Sequence, residues 1–360
     1  MDFPSYISSF LLSERQPQIM EDFSYDRSRY LSEFAERARK ICRAENSDFV
    51  ILQHGAMQAF AAQGPINFVA MYAGMFWMLS RLAASVAASA AFPELEGALS
   101  EPHTPDPERS LRAPLELLNE ATPFDWNMES VGWGTEPERV ALFYFTLDIL
   151  FKFVVFHEIG HLHNDHGRRR GAVCNPAEVG EIIAIDELGP LLLDDNQGVQ
   201  SHAREIIADC TGLEMTIRTF SGEWELNKDS ELNEFFRKVI YDKISLIKFI
   251  LTIINLYFRL SDRRSWNDKP LTSLSHPPAP MRMNVLYAYI VENRPLGIDA
   301  TDAISANQGA LEQADNIMSL ALNIFRAPDW AQRVRTPEWY AHYRLIHEES
   351  KNWTGPLEHK

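Results

Sequence analysis

The sequence predicts a mainly α protein with a small sheet, an α+β chain whose chemistry sits on helices. Three observations lead there. Apolar residues recur at helical spacing along most of the 360 residues, with no convincing hairpin series of period-2 strands. One short run, Phe49-Val50-Ile51-Leu52, has the length and composition of a strand at a sheet edge. Prolines with acidic residues between them gather in 93–139, and 171–200, with acidic 194–195, shows few fixed features. These read as long excursions from a single domain, 1–360, with a helical C-terminal part, 290–360.

Taken in order, residues 24–46 (SYDRSRYLSEFAERARKICRAEN) form an amphipathic helix. Residues 56–92, rich in Ala and Met, read as one or two buried helices broken near Gly64-Pro65. Seven prolines punctuate the next stretch, a surface excursion with a short helix at 111–120; a plain loop is favoured over a lid. Residues 140–166 are a helix, mostly buried because Val140 to Phe156 is almost wholly apolar. Gly167 and Arg168-Arg169-Arg170 end it, cations being favoured at a helix C-terminus. After the second excursion come helices at 201–219 and 238–260, joined by a polar stretch, 221–236. A loop leads to a helix from Met281 to Glu292, and 301–325 and 338–350 supply two more.

Composition bounds the function. Hydrophobic residues make up 46 % and charged residues 23 %, enough for a large core. A net charge of −16 disfavours nucleic acid and anionic membrane surfaces as partners. Three scattered cysteines do not make a disulfide framework and suit a reducing compartment. The start, MDFPSYISSFLL, has no basic region and no long apolar core, so it does not read as a secretory signal. These features point to the cytoplasm. Ile66 to Phe92 and Lys243 to Arg259 could be mistaken for membrane spans, but Arg81 and Lys248 fall inside them. Both read as buried helices, with membrane contact through 66–92 unexpected but open.

The buried helix ends in His157-Glu158-Ile159-Gly160-His161, the HExxH pattern of zinc-dependent peptidases. Residues four apart share a helix face, so the two imidazoles can converge on one ion. Glu158 projects beside them as a general base. Polar residues closing so apolar a helix need partners, and a metal is the natural one. A third ligand is required. The three-histidine version of the motif fails twice, because Asn164 and Gly167 stand where it needs Gly and His. Glu205-Ile206-Ile207-Ala208-Asp209 offers Glu205 as ligand and Asp209, one turn on, as acceptor for the second N–H of a ligand histidine. The apolar residues around this pair favour that reading; His202, His163 and His166 are the competitors. His276, ahead of a rigid Pro-Pro, can donate to the oxyanion of a tetrahedral intermediate or can be an ordinary turn histidine.

Together these pieces resemble a known group. HExxH with His166 five residues after His161, the ExxADxxG run of Glu205, Ala208, Asp209 and Gly212, and Ser275-His276-Pro277 with downstream Arg282 look like the gluzincin peptidases of the HtpX and CAAX-prenyl-protease type. The stretch 57–79 is also similar to a segment of that group, although Gln58 stands where the group often has Asn. The likeness covers scattered blocks between 50 and 290. It implies a zincin-like metallopeptidase, with one helix carrying HExxH and a second carrying ExxAD. It implies one Zn²⁺ per chain on His157, His161 and Glu205, Glu158 as base, Asp209 behind the ligands and His276 at the oxyanion. Many members are membrane-embedded; in size and compartment the chain is closer to the soluble phage-exclusion peptidases of the Lit type, a class that cuts elongation factor Tu. The expected activity is therefore zinc-dependent endopeptidase, acting on a protein or peptide substrate. Two other readings stand beside it. One is a non-catalytic zinc sensor or structural protein. The other is a regulatory peptidase that cleaves one dedicated partner, a repressor or translation factor, in stress or phage defence.

Overall fold

The computed structural model describes residues 3–13, 18–20, 29–96, 136–169, 181–182, 195–227, 234–261, 274, 276–321, 330–332 and 334–355. Mainly helical, it carries one four-stranded sheet. The N-terminal half contains α1 (Phe3–Ser13), α2 (Arg29–Ala44), β1 (Asp48–Leu52), β2 (Gln58–Ala62), β3 (Phe68–Tyr72) and α3 (Ala73–Ala88). Then follow α4 (Pro137–His163), the short α5 (His166–Arg169), β4 (Glu181–Ile182) and the long α6 (Asp195–Asn227). The rest is α7 (Glu234–Val239), α8 (Lys243–Ser261), α9 (Ala279–Asn293), α10 (Ala300–Ala321) and α11 (Pro337–Ser350), with 3₁₀ turns at Pro295–Gly297 and Trp330–Gln332.

The sheet order is β1-β3-β2-β4, with β3 parallel to β1 and antiparallel to β2. The expected strand at 49–52 is thus found, and at an edge. The expected helix over 56–72 is not: those residues form β2 and β3. A five-residue link containing Gly64-Pro65 interrupts any helix there, and Asn67 accepts from the Gly64 N–H at 3.3 Å to close the turn. The strands escape recognition because both faces are covered. Ala59, Ala61, Val69 and Met71 point into the main core, while Phe60, Ala62, Phe68 and Ala70 pack against Ile7 and Leu11 of α1. A strand buried on both sides shows no alternation and reads like a buried helix.

The other differences lie at element ends. α6 begins before 201 and runs on to Asn227, into the stretch taken as a polar link. α4 begins at Pro137, inside the first expected excursion; the short helix expected at 111–120 lies outside the described residues. α4 also stops at His163, earlier than expected. Asp165 takes the left-handed conformation (φ 50°), which breaks the helix and turns α5 back toward it. Gln63, just past β2, holds this corner: its Nε2 donates to Leu162 O, and its Oε1 accepts from the Gly167 N–H at 2.7 Å.

α4 is the central pillar. By length and composition it could cross a membrane, and 72 % of its apolar window is buried inside the protein. Phe151 of α4 meets Phe34 edge-on, and Phe153 meets Phe258 in the same way. At its start Arg139, fully buried, donates to five main-chain carbonyls, those of Ala87, Ser89, Phe92, Leu95 and Glu96. Such a fork of N–H donors satisfies the end of α3 and the turn after it.

A candidate metal centre where two helices cross

α4 and α6 can cross closely because glycines face the partner helix on both sides. A Cβ on Gly160 would lie 3.0 Å from Ala208 Cα, and one on Gly212 would lie 3.1 Å from the His157 nitrogen. The close crossing brings ExxAD against HEIGH. His157, His161 and Glu205, all buried, place one ligand atom each within 4.8 Å of the others and could hold a metal ion. The two Nε2 atoms are 3.2 Å apart; Glu205 Oε2 lies 3.5 Å from His157 Nε2 and Glu205 Oε1 3.6 Å from His161 Nε2.

The groups behind these atoms explain their orientation. His157 Nδ1 is 3.0 Å from Asp209 Oδ1. Asp209 is ionised, since Arg282 donates to both its oxygens, from Nε at 2.7 Å and Nη2 at 2.6 Å. His157 therefore donates from Nδ1, and the lone pair of Nε2 faces Glu205. Burial opposes ionisation of Asp209, but the Arg282 charge and hydrogen bonds, with His157, hold it below its usual range. Burial likewise opposes the Glu205 charge, yet His276 first, then His157 and His161, keep it well below the ordinary carboxylate value. Burial drives His161 well below the usual imidazole range, Glu205 opposing. A neutral imidazole is the form that ligates a metal. Buried Glu205 Oε2 finds no hydrogen-bond partner among the described residues, as expected of an atom reserved for a cation.

His157, His161, Glu205, Asp209 and His276 come together. Glu158 is fully buried beside His157 in the chain. His276 Nε2 comes within 3.9 Å of Glu205 Oε2, its side chain 21 % exposed, so it opens toward solvent at the rim. The competitors for third ligand lie elsewhere. His202 sits with Nε2 2.9 Å from Leu274 O and Nδ1 2.9 Å from His342 Nε2, which fixes the strand of chain just before His276. His163 faces Glu45 at 2.9 Å. His166 is not on the motif helix, because of the Asp165 turn; its ring comes back behind His161. Arg282 is the residue whose part the sequence left unassigned. Its signal was a lone cation on an apolar helix, and it also stacks on Phe258, 4.5 Å from the ring centre.

Comparison of the chain with family models, curated proteins and solved structures finds no match.

Proposed function

We propose that the chain is a zinc-dependent endopeptidase with His157, His161 and Glu205 as metal ligands. One observation carries this reading. A tetrahedral zinc with bonds of roughly 2.0–2.1 Å separates its ligand atoms by about 3.3 Å. The three separations here are 3.2, 3.5 and 3.6 Å. Two neutral nitrogens and one carboxylate are also the donor set of a hydrolytic zinc with an open position. A closed, non-catalytic site would recruit His202 as a fourth ligand, but both nitrogens of that ring are engaged with Leu274 and His342.

Zinc supplies Lewis acidity, lowering the pKa of water and polarising a carbonyl. The residues do the rest. Glu158 takes the proton of the attacking water and delivers it to the leaving amine. His276, at the rim, donates to the oxyanion of the peptide as it forms. Asp209 and Arg282 keep His157 in the tautomer that ligates. The burial of Glu158 and the ligands keeps bulk water from competing.

Wild-type and Glu158→Gln proteins, incubated with cell lysate and followed by mapping of new peptide termini, test the reading. Glu158→Gln should keep one zinc and lose cleavage, by about 10²-fold or more. Cleavage at the wild-type rate by the variant, or a wild-type protein that binds no zinc, would sink it.

A further inference from the structure

The C-terminal turn reaches the back of the metal centre. His161 Nδ1 is 2.8 Å from His166 Nδ1, and His166 Nε2 is 3.0 Å from the main-chain oxygen of Trp353. A main-chain carbonyl accepts and cannot donate. The one N–H of a neutral His166 therefore sits on Nε2, and its Nδ1 is an acceptor. His161 must then donate from Nδ1, which turns the lone pair of its Nε2 toward His157 and Glu205. The direction of this whole relay is set at Trp353, 187 residues away from His166 in the chain.

The turn that supplies the carbonyl is fastened to the two helices of the site. Arg169 donates from Nη1 to Asn352 O at 2.5 Å and from Nη2 to Gly355 O at 2.6 Å. The Gly355 N–H donates to Asn164 Oδ1 at 2.7 Å, and Asn164 Nδ2 donates to Gly160 O within HEIGH at 2.8 Å. On the α6 side, the Arg204 guanidinium lies 4.7 Å over the Trp353 ring.

We propose that the turn Asn352–Gly355 is a positioning element of the metal centre: its Trp353 carbonyl, acting through His166, holds His161 in the tautomer that ligates. This rests on His157, His161 and Glu205 being the metal ligands. Its consequence is that the turn Asn352–Gly355 is needed to retain the metal, although it supplies no ligand.

Zinc affinity, measured in competition with a chromophoric chelator, tests this on five proteins: the full chain, His166→Phe, His166→Asn, a chain ending at Lys351, and that shortened chain carrying His166→Asn. His166→Phe keeps a ring but cannot accept, and should weaken zinc by about 10–100-fold, the range for a lost partner behind a ligand. His166→Asn puts an amide oxygen where Nδ1 was, and should bind within a few-fold of the full chain. Truncation should cost as much as His166→Phe in the parent, and little in the His166→Asn background, where the acceptor no longer depends on Trp353. Equal affinity of His166→Phe and His166→Asn, or equal truncation losses in both backgrounds, would overturn the proposal. If the truncated chain does not fold, the Phe–Asn comparison decides alone. Failure of the full chain to bind zinc would instead remove the metal reading itself.

Discussion

Gly160→Ala tests whether the closeness of α4 and α6 makes the site. A Cβ there would sit 3.0 Å from Ala208 Cα, 3.0 Å from Thr211 Cβ and 3.2 Å from Ala208 O. Carbon atoms in contact prefer roughly 3.5–4.0 Å, so α6 must move back by about half an ångström. Crowding of this kind costs about 1–3 kcal/mol, against a gain of about 1 kcal/mol from the better helix propensity of Ala. Gly222, on the same long helix, has nothing within 4 Å of its would-be Cβ, so Gly222→Ala collects the gain alone. The two variants should therefore differ by about 1–3 kcal/mol in denaturant unfolding of the metal-free protein. Glu205 rides on the helix that moves, and metal bonds tolerate about ±0.2 Å, so zinc affinity should fall in Gly160→Ala and hold in Gly222→Ala. Should Gly160→Ala match Gly222→Ala in both stability and affinity, the crossing is not what assembles the ligands.

Three further outcomes are expected. Asp209→Asn leaves the buried Arg282 facing an amide, and should cost about 3–5 kcal/mol of stability and about 10–100-fold in zinc affinity by chelator competition. Burial pushes His202 down to about 3, so the folded protein binds fewer protons than the unfolded chain between that value and the ordinary imidazole range. Stability is then complete above about pH 6.5 and is lost toward pH 3 at about 1.4 kcal/mol per unit; His202→Gln should flatten the urea-midpoint profile by that slope. Arg139→Met strips the donor from five carbonyls and should cost at least about 3 kcal/mol in unfolding while leaving zinc affinity unchanged, since no part of the metal group touches it.

Legibility followed the range of the interactions. HEIGH and the Glu205–Asp209 run are spacings within one helix, and a period of 3.6 residues carries them whole. His276 lies at the rim of the site, at the Pro277-Pro278 entry to α9 that the sequence marked. β2 and β3 were lost because α1, far off in sequence, covers the face that would otherwise have been polar. His166 was misplaced by one residue, Asp165, whose left-handed backbone no periodicity announces. The ion pair of Asp209 with Arg282 and the hydrogen bond to Trp353 link groups 73 and 187 residues apart, so composition around either partner is silent about the other.

Arg139 has a consequence for how the chain can change over time. The Glu96 N–H donates to Glu138, and the Glu96 carbonyl accepts from Arg139, so two points more than forty residues apart in the chain are riveted together. Any chain that joins two points so fixed has its ends already met. Doubling such a loop costs only about 0.6 kcal/mol. Length added between these two points therefore costs little, and the helix that carries HEIGH keeps its footing at Glu138 and Arg139.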